Sequence, residues 1–288
     1  MQSASELRRR IRSVSSTSLI TKAMQMVAAS KMRKAQEAAI AGRPFVRLLY
    51  RIQREAVRLM GDYTNPLLES REVRRRAVVL IGTDKGLCGA LNNNLFRLAM
   101  PFDPETTVFI TAGKKASQFI ARMRRNLVAE FTYSDTPTFP EATAIGSFAR
   151  DLFLKREVDE VRVIATRFVN TLTQTPLCLE FLPIGELKSI PMFGTDFEKQ
   201  ATADKSFCLF EPNTKELLDL FFSRYVHIYM YQVLLNAKAS EHSARMVSMQ
   251  NATESAETLI QDLTLEYNKL RQGNITKELL DLAGGESK

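Results

Sequence analysis

Apolar residues recur every three or four positions through the last quarter of the chain, and from Ser240 to Leu280 only Gly273 and no proline interrupt them. An alternating four-three spacing selects Phe221, Tyr225, Ile228, Gln232, Leu235, Ala239, His242, Met246, Met249, Thr253, Ala256, Ile260, Leu263, Tyr267 and Leu270. Twelve of these fifteen are apolar, and heptads sustained this far predict a coiled-coil seam on one long helix. Running from Asn213 to about Ala283, that helix would be roughly 105 Å long at 1.5 Å rise per residue. No domain this chain could build has such a diameter.

All ten prolines lie between Pro44 and Pro212, so both ends read as helix and the middle as a folded domain. At the N-terminus Leu7, Ile11 and Val14 form one apolar stripe, and Ile20, Met24 and Val27 form a second. The step from Val14 to Ile20 is six residues rather than seven, which predicts a phase shift in the winding. Further on, Ala28, Ala29, Ser30, Ala35, Ala38, Ala39 and Ala41 carry little bulk and permit another backbone to approach. The two ends are expected to pair, antiparallel if the middle domain lies at one end of the rod. The competing reading lays each helix across a globular core.

Between the ends, "RRRAVVLIGTDKGLCGALNNNLF" reads as a strand from Ala77 to Ile81, a glycine loop and a helix opening near Ala90. "TVFITAGKKASQFIARM" repeats strand, glycine and helix. "VDEVRVIATRFVN" and "PLCLEFLPI" add two strands joined through "TLTQT" as a hairpin. The fold class is therefore α/β: a Rossmann-like domain with a mainly parallel sheet, beside a long antiparallel coiled coil of the two terminal helices. The corresponding division is 1–60, N-terminal shaft helix; 75–195, α/β domain; 207–288, C-terminal shaft helix.

Charge changes this picture by polarising it. Up to Met60 there are thirteen Lys and Arg against three Glu, a net of +10, whereas the remainder carries twenty-seven against twenty-nine, a net of −2. The basic end should seek an acidic partner. Candidate chemistry is sparse. Gly82, Gly86 and Gly89 give GxxxGxxG rather than the dinucleotide GxGxxG, and "TAGKKAS" lacks the P-loop spacing, so tight turns are favoured over nucleotide binding. Asp84 and Lys85 read as surface contacts or a local ion pair. Three cysteines without a CxxC pair, and two histidines, suggest neither a disulfide framework nor a zinc site. No Ser, His and Asp set is recognisable, and no cofactor or metal is expected. No apolar window is long enough to span a membrane, and a secretory signal is not apparent.

Three stretches then carry a resemblance: "ITKAMQMVAASKMRKAQ" from Ile20, "GTDKGLCGALNNNL" from Gly82, and "SEHSARMVSMQNATESA" with "YNKLRQGNITKELL" towards the end. In this order, over about Ser5 to Gly285, they resemble the signature regions of the γ subunit of F-type ATP synthases. The resemblance implies a non-catalytic central rotor shaft that turns inside the catalytic head and couples ion flow through the membrane ring to ATP synthesis or hydrolysis. It implies as partners the alpha and beta subunits of the head, the epsilon subunit and the membrane c-ring, with no nucleic acid and no insertion into the bilayer. The expected place is the cytoplasmic face of a bacterial inner membrane, with an organelle inner membrane the alternative, since the absence of an Arg- and Ser-rich presequence fits a bacterial or an already mature chain.

Carried over by position, the resemblance marks Lys22 and Met24 as part of a neck facing the catalytic subunits. Arg245, Gln272 and Thr276 correspond to polar coupling positions on the opposite helix. Asp84 and Lys85, read above as surface residues of the glycine loop, are expected as further partner contacts. "FCLFEP" resembles the foot segment that meets the membrane ring, placing Phe207, Cys208, Leu209 and Glu211 there. Leu279, Leu280 and Leu282 resemble the tip that turns in an apolar sleeve. "SVSSTSL", from Ser13, departs from the family by lacking its usual basic and amide residues, as Cys208 departs by replacing a polar one. Two other functions are consistent with parts of the chain: a basic coiled coil on nucleic acid, disfavoured because no aromatic residues interleave the charges, and a nucleotide-dependent enzyme, disfavoured by the loop spacing.

Overall fold

The computed structural model describes residues 3–59, 64–184 and 214–285. In chain order the elements are α1 (Ala4–Leu59), β1 (Arg76–Ile81), α2 (Leu91–Ala99), β2 (Thr107–Ala112), α3 (Lys114–Arg122), β3 (Asn126–Phe131), α4 (Phe139–Leu154), β4 (Glu160–Phe168), β5 (Gln174–Leu182) and α5 (Thr214–Gly285). They form two compact units, one of residues 1–28 with 245–288 and one of residues 29–244.

The first unit is an antiparallel pair of helical segments. On α5 the buried or half-buried positions include Met246, Met249, Thr253, Ala256, Ile260, Leu263, Tyr267 and Leu270, all on the anticipated seam. On α1 the seam differs from the anticipated one. Burial follows Leu7, Ile11, Val14, Ser18, Thr21, Gln25 and Ala28, an unbroken heptad, while Ile20 and Val27 are 60% and 54% exposed. The expected phase shift therefore does not occur; of that second stripe only Met24 is half-buried. A helix keeps its face to its partner only by keeping its period, and small hydroxyl residues are tolerated on that face because they are satisfied there. Thr21 Oγ1 and Thr253 Oγ1 lie 2.7 Å apart. Each is also in reach of its own helix's carbonyls, Ser18 O at 3.0 Å and Met249 O at 2.9 Å. One hydroxyl thus donates across the seam and the other along its helix.

The second unit is a three-layer sandwich around a sheet of order β3-β2-β1-β4-β5, parallel except for the antiparallel β4–β5 hairpin. Alternation along β1 divides the core. Ala77, Val79 and Ile81 face α4 and α5, and Val78 and Leu80 face α2 and α3. Between Phe222 and Ser243, α5 departs from the expected two-helix seam. Off-seam residues such as Val226, Met230, Val233, Leu234 and Ala237 are buried in the sheet core, so this stretch is enclosed almost all round. Gly42 of α1 abuts it, because a Cβ there would lie 2.1 Å from Gln232 Nε2.

Two elements lie beyond the sequence reading. The strand β3 has no fully buried residue and forms one edge of the sheet. The helix α4 opens with a capping box: Thr138 N donates to Glu141 Oε2 at 2.6 Å, and Pro140 sits in the first turn.

Candidate functional site

In α/β sheets ligands bind beyond the carboxyl ends of the strands, at the point where strand order reverses. Here that point lies between β1 and β4, and protein fills its surroundings. Ser240 Oγ of α5 donates to Thr166 O of β4 at 3.3 Å, and Ser243 Oγ donates to Thr171 O at 2.8 Å. Tyr133 Oη, buried, donates to Gly82 O at the end of β1, 2.9 Å away. Burial first, then the nearby Glu241 and Asp84 carboxylates, hold the Tyr133 phenol well above its ordinary pKa, so it remains a donor.

The glycine loop is likewise internally committed. Asp84 Oδ1 accepts from Lys114 N, the first amide of α3, at 3.0 Å. A carboxylate of the chain itself thus occupies the place where a phosphate would meet that helix N-terminus. Asn92 clasps the loop by donating from Nδ2 to Thr83 Oγ1 at 2.7 Å, and Thr83 Oγ1 is 2.8 Å from Lys85 O. Asp84 is therefore a half-buried helix cap, while Lys85 is exposed.

A charged cluster absent from the sequence reading lies where α5 passes the loop after β3. Lys238 is 1% exposed, and its Nζ donates to Glu241 Oε2 at 2.9 Å. The same ammonium stands 4.4 Å from the Tyr133 ring centroid and 4.0 Å from Asp135 Oδ1. Asp135 Oδ2 accepts from Lys31 Nζ of α1 at 2.5 Å, and His242 Nε2 is 3.9 Å from Oδ1. The hydrogen bond from Lys31 holds the Asp135 carboxyl below its usual range, against a partial desolvation. The readable signal was Lys238 and Glu241, three apart in a polar run within an otherwise apolar helix.

The first unit holds most of the other expected positions. Lys22 is exposed on α1, Met24 is half-buried, and Arg245 is buried near the start of its α5 segment. Gln272 and Thr276 are exposed, joined by the bond from Thr276 Oγ1 to Gln272 O at 2.9 Å. Leu279 and Leu280 are 61% and 67% exposed. Leu282 belongs to α5, but its side chain lies outside the described residues, as do Phe207, Cys208, Leu209 and Glu211 entirely. Leu19, Ile20, Met26 and Val27 project from α1, as do Arg8, Arg9, Arg10 and Arg12. Among the described residues no group of three or more His, Cys, Asp or Glu is placed to hold a metal ion, and no helix is long and apolar enough to cross a membrane.

The end of the sheet is enclosed and self-capped, and α1 presents an outward apolar row. Comparison with known proteins gives the family. The family model described as ATP synthase matches residues 3–287. The ATP synthase gamma chain of Methylacidiphilum infernorum is 42% identical over 98% of both chains. That of Opitutus terrae is 42% identical over 99% of this chain and 98% of its own. This chain belongs to the ATP synthase gamma-chain family. The fold agrees with a chain of the Tetrahymena thermophila mitochondrial ATP synthase central stalk/c-ring structure, at TM-score 0.61, 25% identity and coverage of 81% of this chain and 99% of that one. A chain of the Euglena gracilis mitochondrial OSCP/F1/c-ring structure matches at TM-score 0.68 and 19% identity, over 99% of this chain and 93% of that one. As a gamma chain it is a non-catalytic subunit of the central stalk and couples rotation to catalysis carried out on other subunits.

Proposed function

We propose that the helical unit of this gamma chain turns against the alpha and beta subunits of the catalytic head, while the α/β unit meets the epsilon subunit and the membrane c-ring. The observation that carries this reading is the outer surface of the first unit. Leu19, Ile20, Met26 and Val27 point away from the seam, Leu279 and Leu280 are exposed beyond its last residue, and apolar side chains grouped at a surface in this way mark interaction surfaces. Lys22, Met24, Arg245, Gln272 and Thr276 supply the polar and half-buried contacts with the head, and the leucines with Leu282 supply a slippery tip. Lys85, exposed beside the capping carboxylate of Asp84, is a further partner contact. Phe207, Cys208, Leu209 and Glu211 form the contact with the ring. Residues 1–60 and 207–288 act as shaft helices and 75–195 as the foot. The place of action is the cytoplasmic face of a bacterial inner membrane, a reading supported by the bacterial origin of the 42% identical relatives.

The test is the ratio of ATP-driven ion pumping to ATP hydrolysis in membrane vesicles. Met24→Lys puts an ammonium on a half-buried position in a neck that already buries Arg245. A close like-charge contact costs a few kcal/mol at an effective dielectric near ~20. Pairing with an acidic group of the head would relieve that cost and hold the shaft in one orientation. The ratio should fall while hydrolysis persists, whereas Met24→Leu, which roughly conserves volume, should leave it unchanged. An unchanged ratio for Met24→Lys removes this residue from the coupling neck.

A further inference from the structure

The structure assigns to Lys238, Glu241, Asp135 and Lys31 a positioning role: a charged clamp that sets the rotational angle of α5 against the sheet within the α/β unit. Apolar packing holds this stretch of α5 firmly but without direction, since burial is insensitive to which apolar neighbour a side chain meets. Side chains at the rim of a helix sit about 5–6 Å from its axis, so each 10° of slip moves them about 1 Å. Apolar contacts can re-form after such a step. A buried ammonium cannot.

The clamp has two sides, one on α5 and one on the loop after β3. Lys238 and Glu241 belong to α5 and move together, paired at 2.9 Å with side chains 1% and 3% exposed. Across from them, Tyr133 offers its ring to the ammonium at 4.4 Å and is tied by its hydroxyl to Gly82 O, at the end of the central strand β1. Asp135, two residues on, sits 4.0 Å from the same ammonium and receives Lys31 of α1 on its other oxygen. One acidic side chain after β3 therefore ties both long helices to the sheet. Rotation of α5 would carry the Lys238–Glu241 pair along intact but withdraw the ammonium from the Tyr133 ring and from Asp135 together, removing both of its contacts outside its own helix. In a subunit that couples rotation to catalysis, this is a joint where torque passes between sheet and helix without slip.

The inference rests on the reading that the helices are held in the head and the sheet lies outside it, and the experiment separates the two. In the assembled complex with the head immobilised, a bead is attached to Cys178, exposed on β5, with loss of labelling in Cys178→Ser confirming the attachment point. The spread of bead angle about each dwell measures compliance between sheet and head. Lys238→Met with Glu241→Met replaces the pair by apolar side chains of similar length, a change that is often neutral or stabilising in buried pairs. Its angular variance should be about twofold or more above the parent, with hydrolysis retained, as expected if a coupling interaction has been lost. Lys238→Arg, which keeps the charge, should restore most of the narrow spread. Asp135→Asn with Lys31→Met, at the half-exposed end, gives a variant whose folding does not depend on the buried pair, and it too should widen the spread. Unchanged variance in either double variant overturns the clamp. A bead that does not turn with ATP even on the parent complex overturns the shaft reading instead.

Discussion

Gly113 joins β2 to α3 and is the position where one methyl group should do most harm. Its backbone stands at φ 99 and ψ 137, a conformation L side chains rarely adopt. A Cβ there would lie 2.4 Å from Gly82 O, 2.9 Å from Gly82 C and 3.2 Å from Thr83 C, all backbone atoms. Neither side can yield. Gly113 N donates to Phe131 O at 2.9 Å, and Gly82 N donates to Ala112 O at 2.8 Å. Backbone strain costs about 1–3 kcal/mol. Moving Gly82 far enough to relieve the clash breaks the buried bond from Tyr133 Oη, a further ~1–3 kcal/mol. The expected loss for Gly113→Ala is therefore about 2–6 kcal/mol, a large part of the stability of a domain of this size. The assay is a urea titration of the chain read by pulse proteolysis, with cleavage followed in the β1–β2 region. Gly86→Ala is the control, since a Cβ there meets nothing within 4 Å and its φ is not positive, and it should stay within about ±0.5 kcal/mol of the parent. A Gly113→Ala midpoint within 1 kcal/mol of the parent, by the same measure, would refute the argument that this close approach is rigid.

Two further outcomes follow from other parts of the molecule. Because Ser18 faces the seam and Ile20 faces outward, Ser18→Leu should lower the thermal stability of the chain by about 1–3 kcal/mol through overpacking, while Ile20→Ser should change it by less than about 0.5 kcal/mol; the reverse ranking would restore a seam through Ile20. His227 lies 2.9 Å from Ser147 Oγ, and burial first, then Arg150 and Arg224, lowers its pKa. The folded state then binds fewer protons than the unfolded one, so this stability is present above the unfolded value of about 6.5 and is lost as pH falls through the lowered folded value; His227→Gln should flatten the stability profile in that window, and an identical slope in parent and variant would contradict it.

Much of this fold was legible because its patterns are local. The strand-glycine-helix units at β1–α2 and β2–α3, the β4–β5 hairpin and the seam from Met246 to Leu270 all follow from spacing within the chain. The face of α1 did not. Ile20 and Val27 are as apolar as any seam residue, and hydrophobicity alone does not say whether an apolar side chain meets a partner helix or another subunit. The same ambiguity concealed the enclosed stretch of α5, where seam and off-seam positions are both apolar. Strand β3, with Asn126 and Glu130 exposed along an edge, lacks the continuous apolar run of a central strand, whereas α4 had a readable signal in Thr138, Pro140 and Glu141. The charged cluster joins Lys31, Asp135 and Lys238, residues separated by about a hundred positions each, and no periodicity connects them. Its local half, Lys238 with Glu241, was visible only as polar residues where apolar ones were expected.

The most direct test of the central claim is rotation itself. With the catalytic head immobilised and this chain as its only gamma subunit, a probe on exposed Cys178 should turn in one direction when ATP is supplied and stop when it is withdrawn. Sustained ATP hydrolysis by the same complexes with the probe fluctuating about a fixed angle would contradict the account.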